Sequence, residues 1–335
     1  MIINDIIKEL EKVAPPALQE SYDNAGLIVG DKNADCKGAV LCLDSTEDVI
    51  EEAIKNGCNL VIAHHPIVFK GLKRFTGKNY VERTVMKAIK NDIAIYAIHT
   101  NLDNVLENGV NAKIAERLGL VNTRILSNKS GLKKAEVSCM SHDSSYIEEA
   151  MRGLGADLVS HSENEAKAQM NFTYPFHLQS QVNAVLAHYL ADNNGTFLIS
   201  TIENSETGIG SGLFGELKEP METISFLKFL KNQMEAGVVK YTRPIHKEIR
   251  KVALCGGSGG FLLGAAKASG ADVFITADYK YHEYFDADGD IIIADIGHYE
   301  SEHFTKQLLF DILSDKFPNF ALHLTDVNTN PVNYL

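Results

Sequence analysis

The 335-residue chain has no tryptophan, and its five cysteines (Cys36, Cys42, Cys58, Cys139 and Cys255) never fall at CxxC spacing. That scatter excludes a thiolate metal site and, in an odd number, reads as reduced thiols. Cys42 and Cys255 lie inside apolar, strand-like runs, where cysteine is a small core residue. Nowhere do about 18 apolar residues follow one another, which excludes a membrane-spanning helix. The stretch from Met1 to Lys8 carries an acid at Asp5 and lacks the layout of a signal peptide, so a cytoplasmic location is expected. Positive charge is scarce as well: 32 Lys and Arg stand against 44 Asp and Glu, for a net charge of -12. Such a balance argues against nucleic acid as a partner, because phosphates need lysine and arginine. There is no short-period repeat. What is present, 45% hydrophobic and 23% charged residues, is the composition of an ordinary globular chain.

Strand-like and helix-like patterns alternate through much of the length. Ile2, Ile3, Ile6, Ile7, Leu10 and Val13 fall at helical spacing before Pro15-Pro16 stops the helix. Strands are expected at 39–43, 60–63 and 93–98, with helices at 46–56, 81–90 and 109–118 between and after them. This order implies a parallel sheet with right-handed crossovers. The rhythm breaks near Leu126 and resumes near Gly208, with strands at 251–255, 273–276 and 291–294. Between the breaks, two helices among several strands, including a hairpin over 158–174, suggest a small α+β module of ferredoxin-like type. The expected fold class is therefore α/β: mostly parallel sheets flanked by helices, carrying an inserted small α+β module. The domain limits read as 1–126 and 205–335 for the main domain and 127–204 for the insertion.

Three strand ends collect residue types that bind metals. Leu60-Val61-Ile62-Ala63 runs into His64-His65-Pro66; the next strand runs into His99 and Asp103; a third runs into His298 and Glu302. Neighbouring strand residues point to opposite faces, so His64 and His65 are poorly placed to grip one ion but suited to holding one each. His298 and Glu302 are spaced i, i+4 and share one face of a helix. All three places follow the carboxyl end of a parallel strand, where open α/β sheets build their sites. Three imidazoles and two carboxylates exceed the needs of one catalytic zinc with an open position. They suit two ions about 3.5–4 Å apart. A nitrogen and oxygen donor set without thiolate fits Zn, Mn, Fe, Co or Ni and does not choose among them. Asp295, Glu300 and His303 lie close by in sequence; Glu302 is preferred for its spacing. As a functional residue, His99 belongs behind the ligands, orienting one of them or a water.

Other segments have two readings. Gly256-Gly257-Ser258-Gly259-Gly260, between a strand and a helix, either cradles a phosphate on its amides or makes a tight turn beside the metals. It is neither a P-loop nor a dinucleotide fingerprint. Asp278 and His282 either face the same crevice or belong to a turn and an exposed helix. Asp23-Asn24, taken locally, is turn chemistry.

Taken together, Tyr22-Asp23-Asn24-Ala25-Gly26-Leu27, His64-His65-Pro66, His99-Thr100-Asn101-Leu102-Asp103, the 256–260 loop, the 276–282 segment and Gly297-His298-Tyr299-Glu300-Ser301-Glu302 resemble the GTP cyclohydrolase 1 type 2 family, also called the NGG-interacting-factor-like family. The resemblance spans about residues 1–125 and 205–335, with the motifs in the same order. It implies a dinuclear metal centre at His64, His65, Asp103, His298 and Glu302. It further implies a ring-shaped homohexamer, a trimer of dimers, and an insertion similar to the PII/CutA-type fold at 127–204. The chemistry it implies is hydrolysis of a nucleotide or related purine. Water activated by the ions would attack C8 of guanine, the ring would open and formate would leave, with His99 or Glu302 moving the proton. The alternative is a non-enzymatic ring: a metal-binding scaffold or a nucleotide sensor. Two positions depart from the family pattern, Tyr22 in place of Trp and Ala277 in place of Gly. Ala277 tolerates left-handed backbone poorly, so a changed loop is expected there.

Overall fold

The computed structural model describes residues 1–191 and 195–335. They form two compact units, one of residues 1–127 with 208–335 and one of residues 128–207.

The larger unit holds two sheets. The first runs in the order Gly26–Val29, Ala94–Ala97, Leu60–His65, Ala39–Asp44, Leu322–Leu324. Its last four strands are parallel, and Gly26–Val29 pairs antiparallel at the edge. The central strands are continuous aliphatic runs because helices cover both faces; Leu60, Val61, Ile62 and Ala63 are fully buried. Each such Leu, Ile or Val side chain stabilises the fold by about 1.5–3 kcal/mol relative to exposure. The crossover helices are signalled locally. Thr46 caps Glu47–Lys55 by accepting from the Val49 amide, with Glu47 and Asp48 in the positive first turn. Helix Ile3–Val13 buries the stripe Ile3, Ile6, Ile7 and Leu10.

The second sheet contains, in order, Lys240–Tyr241, Ile292–Asp295, Val273–Thr276, Glu248–Leu254, Ser205–Glu222 and Leu120–Ser130. It departs from the expected mostly parallel arrangement. Glu248–Leu254, Val273–Thr276 and Ile292–Asp295 are parallel, whereas Lys240–Tyr241 pairs antiparallel with Ile292–Asp295 and Ser205–Glu222 antiparallel with Glu248–Leu254. Helix Thr223–Gln233 stands between Ser205–Glu222 and Glu248–Leu254 in the chain, yet the two pair antiparallel, so an intervening helix does not by itself make a parallel crossover. The carboxyl ends of the parallel strands of both sheets converge, which brings His65 against Glu302.

The smaller unit has the order strand Leu132–Met140, helix Ser141–Gly153, strands Asp157–Glu163 and Lys167–Pro175, helix Gln179–Tyr189 and strand Thr196–Thr201. The spatial order is Asp157–Glu163, Lys167–Pro175, Leu132–Met140, Thr196–Thr201, antiparallel throughout. The hairpin expected over 158–174 is present. Alternate residues Ala135, Val137 and Cys139 meet Ala168, Met170 and Phe172 in a core completed by Ile147, Met151, Val182 and Leu186 of the two helices. Among the described residues, no helix is long and apolar enough to cross a membrane.

Candidate metal centre

Strand Leu60–His65 delivers two adjacent imidazoles to the same place, with ring centroids 4.9 Å apart. His64 is fully buried. Its Nδ1–H donates to the Ile98 carbonyl at 2.8 Å, which leaves the Nε2 lone pair pointing inward. His65 donates from Nδ1 to Asp44 Oδ1 at 2.8 Å. His298 donates from Nδ1 to Asp278 Oδ2 at 2.7 Å, and His99 from Nδ1 to Asp23 Oδ1 at 2.8 Å. All four rings are thus held from behind, and the Nε2 atoms face the centre. Carboxylate or carbonyl anchoring of the far nitrogen is the usual arrangement of metal-binding histidines.

The donors fall into overlapping sets whose ligand atoms lie within 4.8 Å of one another: His64, Asp103 and Glu302; His65, His298 and Glu302; His64, His65 and His99. Glu302 belongs to two of them. Its Oε2 lies 2.9 Å from His65 Nε2 and 3.1 Å from His298 Nε2, while its Oε1 lies 3.9 Å from His64 Nε2. The i, i+4 pair sits on the one-and-a-half-turn helix His298–Glu302, as its spacing requires. Asp103 ends the short helix Thr100–Asp103, and its Oδ1 lies 3.6 Å from His64 Nε2.

Two atoms of the cluster stand out. Among the described residues, His64 Nε2 and Asp103 Oδ1 are buried and lack a hydrogen-bond partner. A buried orphan acceptor costs about 1–3 kcal/mol, and two facing each other could be satisfied together by a cation. The charges agree. Burial pushes His64 down to about 3, so it stays neutral and able to ligate. Burial and the nearby Glu302 raise Asp103 well above the ordinary carboxylate range. Burial would raise Glu302 too, but the imidazoles of His298 and His65 hold it well below its usual value. Two carboxylates compete for one pocket, a repulsion that a divalent ion removes.

Three further side chains, Asp44, Asp23 and Thr329, support the cluster without having been read from sequence in that role. Asp44 ends strand Ala39–Asp44 beside His65, so the strand-end rule that picked out the histidines also points to it. Asp23 is more than a turn residue: it accepts from His99 and from the Thr100 amide and hydroxyl, and these bonds hold it down at about 2 despite burial. Thr329 Oγ1 donates to Asp44 Oδ2 at 2.7 Å, from an unpatterned segment that carries no sequence signal.

Other readings are settled by contacts. In the 256–260 loop the amides of Gly256, Gly257 and Gly259 donate to Asn111, Ser301 and Thr276. Three of the five loop amides thus serve the tight turn beside the cluster. Gly257 has φ +60°, and a Cβ there would run into Glu302 Oε1. Asp278 does face the crevice, but His282 is exposed and stacks on Phe285. Left-handed backbone falls on Asp278 (φ 61°), not Ala277, whose amide simply donates to Gly257 O at 2.9 Å. Asp295 is buried and ion-paired to Lys240 at 2.6 Å, and Glu300 accepts from Asn330, so neither joins the cluster.

A cavity of about 720 Å³ opens above the cluster, reaching His65, His99, Asp103, His298 and Glu302. A second, of about 510 Å³, lies against the other side of His65 and His298.

Residues 1–331 match the Duf34/NIF3 (NGG1p interacting factor 3) family. A Staphylococcus epidermidis protein named GTP cyclohydrolase 1 type 2 homolog is 31% identical over 369 aligned residues, covering 100% of both chains. Its namesake from Staphylococcus aureus is 28% identical over 373, again across 100% of both. The solved structure of a Bacillus cereus protein related to NIF3 superposes with a TM-score of 0.84 at 29% identity, over 100% of this chain and 99% of that one. With a family match that runs nearly end to end and full-length relatives at this identity, the chain belongs to the Duf34/NIF3 family.

Proposed function

We propose that the protein is a cytoplasmic, metal-dependent hydrolase acting on a purine-like ring, in the manner suggested by the name its relatives carry. The facing orphan atoms His64 Nε2 and Asp103 Oδ1 carry this reading. In it, His64 and Asp103 would hold one divalent ion and His65 and His298 another, with Glu302 belonging to both donor sets. Such ions supply Lewis acidity and water activation near neutral pH. The chain's own residues do the rest. Asp44 and Asp278 fix the rings of His65 and His298, and His99, backed by Asp23, holds its Nε2 ready to take or return a proton at the substrate ring. Glu302 is engaged through both oxygens, which leaves His99 the better proton carrier.

The test is to supply GTP and, in parallel, guanosine to metal-loaded protein and assay formate and a ring-opened product. His99→Gln is expected to lower turnover by about 10²–10⁴-fold while metal content stays complete. Tight binding without formate, at full occupancy, would replace the hydrolase with the non-enzymatic scaffold or sensor. Assembly as a homohexameric ring and a ferredoxin-like inserted module belong to the same proposal. The first is checked by light scattering; the strand order of residues 128–207 supports the second.

The Thr329 contact yields a separate expectation. Thr329→Val removes the donor that steadies Asp44 and is expected to weaken metal retention about tenfold or more. Thr329→Ser keeps the hydroxyl and should retain it. Equal metal affinity in the two variants, measured by competition with a chelator, would show that Thr329 has no such role.

A further inference from the structure

The cavity above the cluster is walled by rings. Tyr22, Phe69, Tyr80 and Phe261 all line it, and each is between 51% and 72% exposed. Several large aromatics left uncovered around one opening are a contact surface waiting for a flat partner. They stand close to the chemistry. Phe69 lies edge-on to His99 with centroids 5.6 Å apart. Tyr22 lines the same cavity as Asp103 and His99.

Provision for phosphate is poor in the same cavity. Lys70 is the one lysine or arginine among its lining residues, against the carboxylates of Glu20, Asp44, Asp103 and Glu302. In the loop best shaped to hold an anion, three of the five amides, those of Gly256, Gly257 and Gly259, are already spent on Asn111, Ser301 and Thr276. Phosphate oxygens drawn into the metal-ligand cluster itself would displace the ring carbon that has to lie there.

We infer that the substrate is an uncharged, flat heteroaromatic compound, a nucleoside or free base, held by stacking on Tyr22, Phe69 and Phe261, and not a nucleoside triphosphate. This inference rests on the hydrolase reading of the cluster and narrows its substrate.

Calorimetry of the metal-loaded full chain against guanosine and GTP tests it. Guanosine is expected to bind at least tenfold more tightly than GTP. Tyr22→Ala and Phe261→Ala are each expected to weaken guanosine about tenfold, within the range of base–aromatic stacking. Metal content and melting temperature should not change in either variant, and Lys70→Ala should leave guanosine affinity as it is. GTP binding as tightly as guanosine, or guanosine binding that ignores both ring deletions, or no guanosine binding at full metal occupancy, would overturn the inference. Tight, ring-dependent guanosine binding without formate release would discard the hydrolase and with it the substrate, leaving a stacked nucleoside ligand.

Discussion

Glu302→Gln is expected to strip the purified protein of most of its metal. Glu302 is the one carboxylate shared by the His64–Asp103 and His65–His298 sets, and its side chain is almost wholly buried. Glutamine preserves its volume but removes the charge and turns an NH₂ group towards the place a cation would occupy. Breaking one partner out of a buried charged cluster costs about 3–5 kcal/mol. At 1.4 kcal/mol per decade, that is a loss of roughly a hundred- to a thousandfold or more in metal affinity. Elemental analysis after dialysis measures it directly. Glu300→Gln is the control: Glu300 is also buried, two residues away, but bonds to Asn330 and should leave the metal untouched. A Glu302→Gln protein with a full metal complement would remove the basis for the dinuclear centre.

The second large effect is an opposite response to pH with and without metal. In the metal-free protein His65 is raised to about 9 and His298 to about 11. Burial opposes both shifts, but Asp44 and Glu302 on the one side and Asp278 and Glu302 on the other outweigh it. Both rings gain a proton's stabilisation on folding. That contribution is complete below the ordinary value of 6.5 and is lost as pH rises through about 9 and then about 11. His64, lowered to about 3 by burial, works the other way: its share is complete above 6.5 and is lost as pH falls towards 3. Metal-free protein should therefore be most stable near pH 6.5 and melt at lower temperature at pH 9. Metal binding reverses the trend, because His65 and His298 must give up their protons to ligate. Each proton released raises affinity by up to about tenfold per pH unit. At a hundredfold excess over the dissociation constant the ions add about 2.7 kcal/mol of stability. Melting curves at pH 6, 7.5 and 9, with chelator or with metal, should diverge as pH rises. Parallel curves would mean that the two imidazoles are not ligands.

Much of this site was legible in one dimension because strand ends and helix spacing are local rules. An aliphatic run ending in His64-His65, and His298 four residues before Glu302, identify their geometry without a partner in view. Asp44 obeys the same strand-end rule, yet an aspartate after a strand is so common that the rule alone does not single it out. Asp23-Asn24 looked like a turn because the His99 ring it holds is 76 positions away. The glycine loop was ambiguous for a related reason: whether an amide is free depends on Asn111, Ser301 and Thr276, none of which is near it in sequence. The second sheet came out mixed because hydrophobic pattern does not encode strand direction: helix Thr223–Gln233 separates Ser205–Glu222 from Glu248–Leu254, as in a parallel crossover, yet the two strands pair antiparallel.

By itself the sequence determined the parallel α/β core, the break around the inserted module and the kinds of donor atoms at each strand end, since these follow from hydrophobic period and residue chemistry. Only the tertiary structure decided which donors meet, which nitrogen of each imidazole is free and which amides are already taken. His65 and Glu302 are 237 residues apart, and a contact over that distance is set by how two sheets pack, not by any local pattern.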